Sequence, residues 1–326
     1  MKLRYLAFIL LGFMACDNEL NVIEDYQDIP IVYGVLSSSD TAQYIRLERA
    51  FVDPNTSALD IAQIADSLYY EDASVQILHD NQIYNLERVD GNLEGYIREE
   101  GAFAQAPNYL YKIRTANIPL IDDEAYTLQI NTTDNTEPVS STIDLVGASN
   151  ITTPSSSIGF DYIQPTRVRW RKGDNARIFD ILIQVNYRER RLSSSTGFER
   201  KFVTWNMGSN IESSNDDIEN FERPGIDFYA FLAGELEANP DIERRFDDIT
   251  VILHSGGFEI LELNRVSGAN LGITSSQDVP NYTNLSRGRG IFTSKFKEEK
   301  PGIALKSSSM DSLIEGQITK DLNFKS

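Results

Sequence analysis

The sequence predicts a mainly β fold: an N-terminal immunoglobulin-like antiparallel β-sandwich followed by a second β-rich domain with one inserted helix. Three features predict it, namely short runs that alternate apolar and polar residues, turn-forming Asp, Asn, Gly and Ser between those runs, and one stretch with helical spacing. Alternation with period two indicates strands with one buried face. Because 326 residues exceed the usual size of one domain, we expect two.

The chain divides into four predicted segments: a lipoprotein signal peptide (1–15), an acidic tether (16–29), the immunoglobulin-like sandwich (30–147) and the second β-rich domain (148–326). The boundary between the two domains is placed where the strand pattern is interrupted by stretches rich in Thr, Ser, Asn and Pro. Such a composition is typical of connecting segments.

In the first domain, alternating runs follow one another with turns between them, at residues 31–36, 44–47, 74–78, 82–86, 109–113 and 126–130. Short strands at this density suit an immunoglobulin-like sandwich. Tyr126 opens a late strand and predicts a tyrosine corner, in which the hydroxyl bonds to upstream backbone. The stretch Asp90-Gly91-Asn92 predicts a hairpin turn, since Asp-Gly and Gly-Asn favour tight turns.

Residues 60–70 interrupt this pattern. Ile61, Ile64 and Leu68 fall near helical spacing, which predicts a short helix or an ordered loop at the edge of the sandwich. Binding residues are often carried by loops on a rigid scaffold, so this segment is a candidate contact surface. The alternative is a loop that packs only on its own domain.

The second domain begins with predicted strands at residues 167–171, 178–187 and 201–207. The connection between the last two carries five basic residues: Arg188, Arg190, Arg191, Arg200 and Lys201. Because Glu189 and Glu199 are interleaved with them, the pattern favours a solvated hairpin tip over an anion site.

A helix is predicted near residues 225–238, where apolar residues recur on one helical face: Ile226, Tyr229, Leu232, Ala233 and Leu236. Residues 246–253 and 258–263 are predicted to form a hairpin around Ser255-Gly256-Gly257. Gly288 and Gly290 indicate a tight turn or a close backbone approach before the next strand. Apolar spacing near the C-terminus predicts a further short helix.

Cys16 is the only cysteine, and it stands where the acylated cysteine of a bacterial lipoprotein is expected. Lys2 and Arg4, an apolar stretch and the small Ala15 precede it, which is the layout of a secretory signal peptide. The apolar stretch is about half of the roughly 20 residues that span a bilayer. Signal removal would leave Cys16 as an N-terminus that carries acyl chains such as palmitate. An incidental cysteine in an ordinary signal peptide is the alternative.

The residues after the cysteine are Asp17, Asn18 and Glu19. This acidic start resembles the export signal of surface lipoproteins in Bacteroidota, so we expect an anchor in outer-membrane lipid with the body facing the cell exterior. A generic polar tether is the alternative. The formal net charge of −19 argues against nucleic acid as a partner.

An ordered series of motifs spans nearly the whole chain: a lipid-box cysteine, a strand at 31–36, Leu47-Glu48-Arg49, an Asp-Ala-x-Val-x-Ile segment at 72–77, a Tyr-x-Leu-x-Ile strand at 126–130, a Trp strand at 168–171, a helix before 240 and an Asn- and Gly-rich segment at 282–292. In this order the motifs resemble a family of Bacteroidota outer-membrane lipoproteins catalogued as domain of unknown function 4249. Arg287 stands where that family often has a second Gly.

Genes of this family are often found beside TonB-dependent outer-membrane transporters. The resemblance therefore implies a non-catalytic accessory binding protein for such a transporter, and it transfers no catalytic residue. Two alternatives stay open: a stand-alone adhesion or envelope-assembly lipoprotein, and a cell-surface hydrolase that uses carboxylates.

The sequence offers no catalytic, cofactor or metal motif. His79 and His254 are the only histidines, and neither a nucleophile elbow nor a zinc motif accompanies them. A Ser–His–Asp arrangement around His254 stays open. Acidic pairs such as Asp122-Asp123 and Asp247-Asp248 are expected by chance in so acidic a chain. We therefore expect no enzymatic activity, no cofactor and no metal.

Overall fold

The computed structural model describes residues 29–50, 60, 62–133, 137–194, 197–269 and 282–325. Within these ranges the protein is mainly β, as the sequence predicts. The predicted signal peptide, the lipidation residue Cys16 and the export signal Asp17, Asn18 and Glu19 lie outside the described residues.

The strands, numbered along the chain, are β1 (Ile29–Leu36), β2 (Ala42–Ala50), β3 (Ser74–His79), β4 (Gln82–Asn85), β5 (Glu87–Asp90), β6 (Tyr109–Arg114), β7 (Ala125–Asn131), β8 (Val139–Asp144), β9 (Asn150–Thr153), β10 (Ser157–Ile158), β11 (Pro165–Arg171), β12 (Ile178–Arg191), β13 (Glu199–Glu212), β14 (Ile218–Pro224), β15 (Ile242–Gly256), β16 (Arg289–Leu305) and β17 (Phe324–Lys325). The α-helices are α1 (Ala65–Leu68), α2 (Ile226–Glu235), α3 (Phe258–Ala269) and α4 (Ser307–Glu315).

In the described part of the chain the strands form three sheets. Sheet 1 has the order β13-β12-β15-β16-β1-β2-β6-β5, with β10 beside β16 and β17 beside β15. Sheet 2 has the order β4-β3-β7-β8, and sheet 3 has the order β14-β11-β9. The pair β1–β16 is parallel, whereas most neighbouring strands pair antiparallel.

One hydrophobic core lies between sheet 2 and the part of sheet 1 that β1, β2 and β6 form. Alternation along the strands brings Val32 and Ile45 from sheet 1 against Ile77 and Leu128 from sheet 2, and all four side chains are fully buried. Burying an aliphatic side chain of this size stabilises a fold by about 1.5–3 kcal/mol. The result is the sandwich-like packing of two sheets that the alternating pattern predicts.

Strand β16 connects this core with a second one. Its first half pairs in parallel with β1, from Ile31 beside Arg289 to Leu36 beside Ser294, and Phe292 is buried in the first core. Its second half pairs antiparallel with β15 and takes part in the second core. Strand β16 thus links β1 to β15 within sheet 1. The domain boundary near residue 148 stays a prediction.

The second core lies between sheet 1 and sheet 3, with α2 and α4 against it. Trp170 of β11 is fully buried, and its ring meets the Phe179 ring edge-on at 5.1 Å between centroids. Helix α2 buries Phe228, Tyr229 and Leu232. The helix predicted near residues 225–238 is therefore confirmed.

The tyrosine corner predicted at Tyr126 is also confirmed. The Tyr126 hydroxyl donates to the carbonyl oxygen of Pro119 at 2.7 Å and accepts from the backbone N–H of Ile121 at 2.8 Å. Burial raises the pKa of this hydroxyl, so it stays protonated and able to donate. The corner fixes the chain that leads into β7.

The close backbone approach predicted at Gly288 and Gly290 is confirmed. Their φ angles are +94° and +113°, a region that side chains disfavour. A Cβ on Gly290 would lie 1.9 Å from the carbonyl oxygen of Val32, and one on Gly288 would lie 2.3 Å from that of Pro30. Only glycine lets β16 approach β1 this closely.

The predicted hairpin of residues 246–253 and 258–263 is wrong in its second arm, because that arm belongs to helix α3. Ile260 continues an apparent alternation, but Leu261 follows it directly and is also turned inward, which is helical spacing. Glu259 lies in the first helical turn, where the helix dipole favours a carboxylate. The short helix predicted near the C-terminus is confirmed as α4. Residues 148–326 therefore contain α3 in addition to the two helices that the sequence predicts.

Candidate binding surface

The segment predicted as a contact surface, residues 60–70, lies against a long loop. Its described part includes the short helix α1. The backbone N–H of Ala104 donates to the carbonyl oxygen of Ala62 at 2.8 Å, and the Gln63 side-chain amide donates to that of Ala102 at 2.8 Å. These bonds join the segment and the loop into one surface.

That loop comprises residues 91–108. The tight hairpin turn predicted at Asp90-Gly91-Asn92 is therefore wrong, because the chain does not return to the sheet directly after it. A turn does begin there, since the N–H of Leu93 donates to the Asp90 carbonyl oxygen at 3.0 Å. However, Asp90 pairs with Tyr109 of β6, so the returning strand starts only after the whole loop. The physical reason is the bond from the N–H of Gly91 to the carbonyl oxygen of Asn108 at 2.6 Å, which closes the loop at its base.

Asn108 organises the loop from inside. It is fully buried, and its amide nitrogen Nδ2 donates to the Tyr96 carbonyl oxygen at 2.6 Å. Its amide oxygen Oδ1 accepts from Arg46 Nη1 at 2.8 Å. The Asn92 side chain adds a bond to the backbone N–H of Arg98 at 3.1 Å. Buried polar groups with partners on several segments fix a single loop conformation.

Charged groups hold the loop on the outer face of sheet 1. Glu48 of β2 pairs with both Arg46 and Arg98. Lys112 of the neighbouring strand β6 and the Tyr44 hydroxyl of β2 both donate to Glu94, and these bonds hold the pKa of the Glu94 carboxyl below its usual value. Glu94 therefore stays ionised and continues to fasten the loop across the physiological pH range.

The ordered loop and its neighbouring segment present apolar side chains to solvent. We call the following five residues the loop surface; their exposed fractions are Ile64 53%, Leu93 88%, Tyr96 51%, Ile97 76% and Phe103 49%. Apolar groups fixed outward in this way are typical of protein contact sites, because burial against a partner removes them from water.

The charged residues around the loop surface are mostly acidic. The exposed carboxylates on the same two segments and their flanks include Asp60, Asp66, Glu71, Asp72, Glu99 and Glu100. An apolar centre with an acidic rim is complementary to an apolar patch with a basic rim, and such charges speed the encounter of two proteins.

The sequence identified only half of this surface. Residues 60–70 stand out by their helical spacing. Leu93, Tyr96 and Ile97 also have i, i+3, i+4 spacing, but the pattern lasts one turn, because Glu100 and Gly101 follow it. An apolar pattern this short, directly after an Asp-Gly turn, was the available signal for an exposed loop. The fastening residue Asn108 gives no signal of its own in the sequence.

The two histidines lie apart from the loop surface. The His79 ring stacks on Tyr126 at 4.2 Å between centroids, and its Nε2 lies 3.1 Å from Glu124. His254 of β15 lies opposite Asp180 of β12. Burial, with Lys297 and Lys295 close by, lowers the pKa of His254.

The Ser255 hydroxyl does not face the His254 ring, although the two residues are adjacent in β15. Neighbouring residues of a strand face opposite sides of the sheet, and the Ser255 hydroxyl bonds to that of Ser149 at 2.8 Å. The acidic pair Asp122-Asp123 caps backbone and side-chain donors: Asp122 accepts from the N–H of Ala148 and Asp123 from the side chain of Asn175. These carboxylates have structural partners.

Two further observations concern the described residues alone. Within those ranges, no group of three or more His, Asp or Glu side chains is arranged to hold a metal ion. The helices in the same part of the chain are all too short or too polar to cross a bilayer.

No protein-family model matches this chain, and comparison with curated proteins yields no match. The resemblance to the lipoprotein family of unknown function therefore stays a prediction from the motifs.

Proposed function

We propose that this protein is a surface-exposed outer-membrane lipoprotein that acts as a non-catalytic accessory binding protein for a TonB-dependent transporter. The observation that carries the proposal is the loop surface, in which an ordered backbone holds five apolar side chains toward solvent. The loop surface is the contact with the transporter in this proposal.

The placement at the membrane is supported by the start of the sequence. Cys16 follows a signal-peptide pattern, and the acidic residues Asp17 and Glu19 follow it directly. Acyl chains on Cys16 would hold the body at the outer membrane, and the acidic start favours the outer leaflet. An immunoglobulin-like first domain and a second β-rich domain with its helices would form that body.

The chemistry of the loop surface indicates what the partner offers. Leu93 and Ile97 are the two most exposed side chains of the loop surface. Burying them would contribute up to about 1.5–3 kcal/mol each to binding, before the cost of association. The acidic rim requires basic residues on the partner around an apolar depression. Loops of a transporter that faces the same side of the membrane could supply both.

The test is co-purification. Tagged full-length protein is recovered from detergent-solubilised outer membranes of the native bacterium, and its companions are identified and counted. The proposal predicts a TonB-dependent transporter at near-equal amount. Recovery without any transporter would support the stand-alone adhesion or envelope-assembly alternative instead.

A variant at Cys16 tests the lipid anchor separately from the contact with the transporter. Cys16→Ser should abolish incorporation of labelled palmitate and release the protein from the membrane fraction. If Cys16→Ser still fractionates with membranes and the wild type takes up no label, the lipoprotein part of the proposal fails. The partner contact is then judged by co-purification alone.

A further inference from the structure

The five basic residues that the sequence places in the connection between two strands lie on the strands themselves: Arg188, Arg190 and Arg191 on β12, and Arg200 and Lys201 on β13. Along these strands Arg188 and Arg200 point to the outer face of sheet 1, whereas Glu189 and Glu199 alternate with them and point to the other face. Glu189 is occupied there, since it pairs with Arg244 and Lys201. Alternation therefore separates the positive from the negative charges that appear mixed in the sequence.

The pairing of three strands then sets three arginines in a row. Arg188 of β12 lies directly opposite Arg200 of β13 on one side and directly opposite Arg245 of β15 on the other. Directly opposed residues on neighbouring strands are close enough that like charges destabilise the sheet. We call Arg200, Arg188 and Arg245 the arginine row.

Neighbouring carboxylates neutralise this row only in part. Arg188 pairs with Asp247 at 2.8 Å, and Arg245 pairs with Glu243 at 3.3 Å. Among the described residues, Arg200 forms no ion pair or hydrogen bond through its side chain.

The charges on this face have a positive balance. The guanidinium groups are the arginine row and Arg190, and the carboxylates are Glu243, Asp247 and Asp248. These four guanidinium groups and three carboxylates sum to one net positive charge, on a chain whose formal net charge is −19.

The row borders an open groove of about 800 Å³. Arg188, Arg200 and Phe202 line it together with Asn186 and Asp248. The Phe202 ring is 63% exposed, an unusual state for an aromatic side chain in a strand. The groove therefore contains both guanidinium groups with unused hydrogen-bond donors and an exposed aromatic ring.

We propose that this groove binds a small organic anion whose phosphate or carboxylate group lies between Arg188 and Arg200 and whose apolar part rests on Phe202. The planar guanidinium fork matches the oxygen spacing of phosphate and carboxylate groups. An oxyanion between the two arginines also removes their mutual repulsion. The site is separate from the loop surface, because the arginine row lies on β13, β12 and β15 and the loop surface beside β2, β6 and β5 at the other end of sheet 1.

The experiment is isothermal titration calorimetry on the purified full chain in non-ionic detergent at low salt. Phenyl phosphate and phenylacetate serve as the phosphate and carboxylate probes, and benzyl alcohol is the uncharged control. The proposal predicts saturable binding of at least one of the two anions and none of the alcohol. The tighter of the two anions identifies the group that the site prefers.

Arg200→Gln should weaken binding of that anion about tenfold or more, because a charge-assisted hydrogen bond is lost. Arg169→Gln is the matched control, an exposed arginine on β11 outside the groove, and it should change the affinity less than about twofold. Phe202→Ala should weaken phenyl phosphate binding more than inorganic phosphate binding.

Folding is checked by thermal melting. Arg200→Gln should melt at or above the wild-type temperature, since it removes a like charge opposite Arg188. Saturable binding of neither anion, equal binding of benzyl alcohol, or unchanged affinity in a folded Arg200→Gln variant would each overturn the proposal.

Discussion

Asn108 and Tyr96 are joined by a hydrogen bond of 2.6 Å from the side-chain nitrogen of Asn108 to the backbone oxygen of Tyr96. Asn108 is fully buried, whereas the Tyr96 side chain is half exposed. A buried amide thus fixes the backbone beneath an outward-facing aromatic ring. Because the loop is ordered before it meets a partner, binding would cost less conformational entropy than binding by a flexible loop.

Asn108→Ala tests this fastening. The variant leaves the Tyr96 carbonyl oxygen without its side-chain donor and removes one of the two acceptors of Arg46 Nη1, so the free energy of unfolding should fall by about 1–3 kcal/mol. Amide hydrogen exchange within residues 91–107 should accelerate more than elsewhere.

The matched control is Asn85→Ala, which changes an exposed asparagine on β4. It should alter the free energy of unfolding by less than about 0.5 kcal/mol. Equal exchange rates in the loop of both variants would show that Asn108 does not order it.

Tyr126→Phe removes the two hydrogen bonds of the tyrosine corner and keeps the buried ring. The N–H of Ile121 and the carbonyl oxygen of Pro119 lose their partner, so chemical denaturation should show a loss of about 1–3 kcal/mol. Tyr33→Phe, at a half-exposed tyrosine of β1, is the control and should be close to neutral. Similar losses in both variants would argue against a structural corner.

Gly290→Ala should destabilise the protein strongly, because the new Cβ would meet the Val32 carbonyl oxygen at 1.9 Å in a backbone conformation that disfavours side chains. Thermal melting measures the effect. Gly234→Ala in α2 is the control: its Cβ meets nothing within 4 Å, and alanine is the better helix former by about 1 kcal/mol. A Gly290→Ala variant that melts with the wild type would contradict the close approach of β16 to β1.

Local patterns in the sequence predict much of this fold. The strand runs, the corner at Tyr126 and the helix α2 all depend on neighbouring residues, so they can be seen in sequence. The parallel pairing of Ile31 with Arg289 cannot, because its partners lie at opposite ends of the chain. Helix α3 was missed because Ile260 continues a short alternation before Leu261 reveals helical spacing.

The candidate sites were harder to predict than the fold. The loop surface depends on a closure between Gly91 and Asn108 that no local motif signals. The arginine row depends on the register of three strands, and Arg245 is distant in sequence from Arg188 and Arg200. In sequence, Glu189 appeared to neutralise these arginines, but strand alternation places it on the other face.

Stability should depend on pH through Glu243. Hydrogen bonds from Arg190, together with those from Arg245, hold the pKa of the Glu243 carboxyl below its usual value. A carboxyl with a lowered pKa in the folded state stabilises the fold above its unfolded pKa of about 4.3, and this contribution is lost as the pH falls through the folded value.

Glu243→Gln should therefore melt at a lower temperature than the wild type near neutral pH, and the difference should shrink as the pH falls below about 4. Melting temperatures of both proteins across this range measure it. A difference that stays constant down to the acid limit would show that the ion pairs of Glu243 do not cause it.

Site-specific photo-crosslinking in intact cells tests directly whether the loop surface contacts a TonB-dependent transporter. A photoreactive residue is placed at Ile97, which belongs to the loop surface and is 76% exposed. In a control protein it is placed at Ile163, which lies outside the loop surface and is 87% exposed. We expect a crosslinked product with a TonB-dependent transporter from position 97 and none from position 163. Equal products from both positions, or a transporter that co-purifies but is never captured from position 97, would contradict the loop surface as the contact.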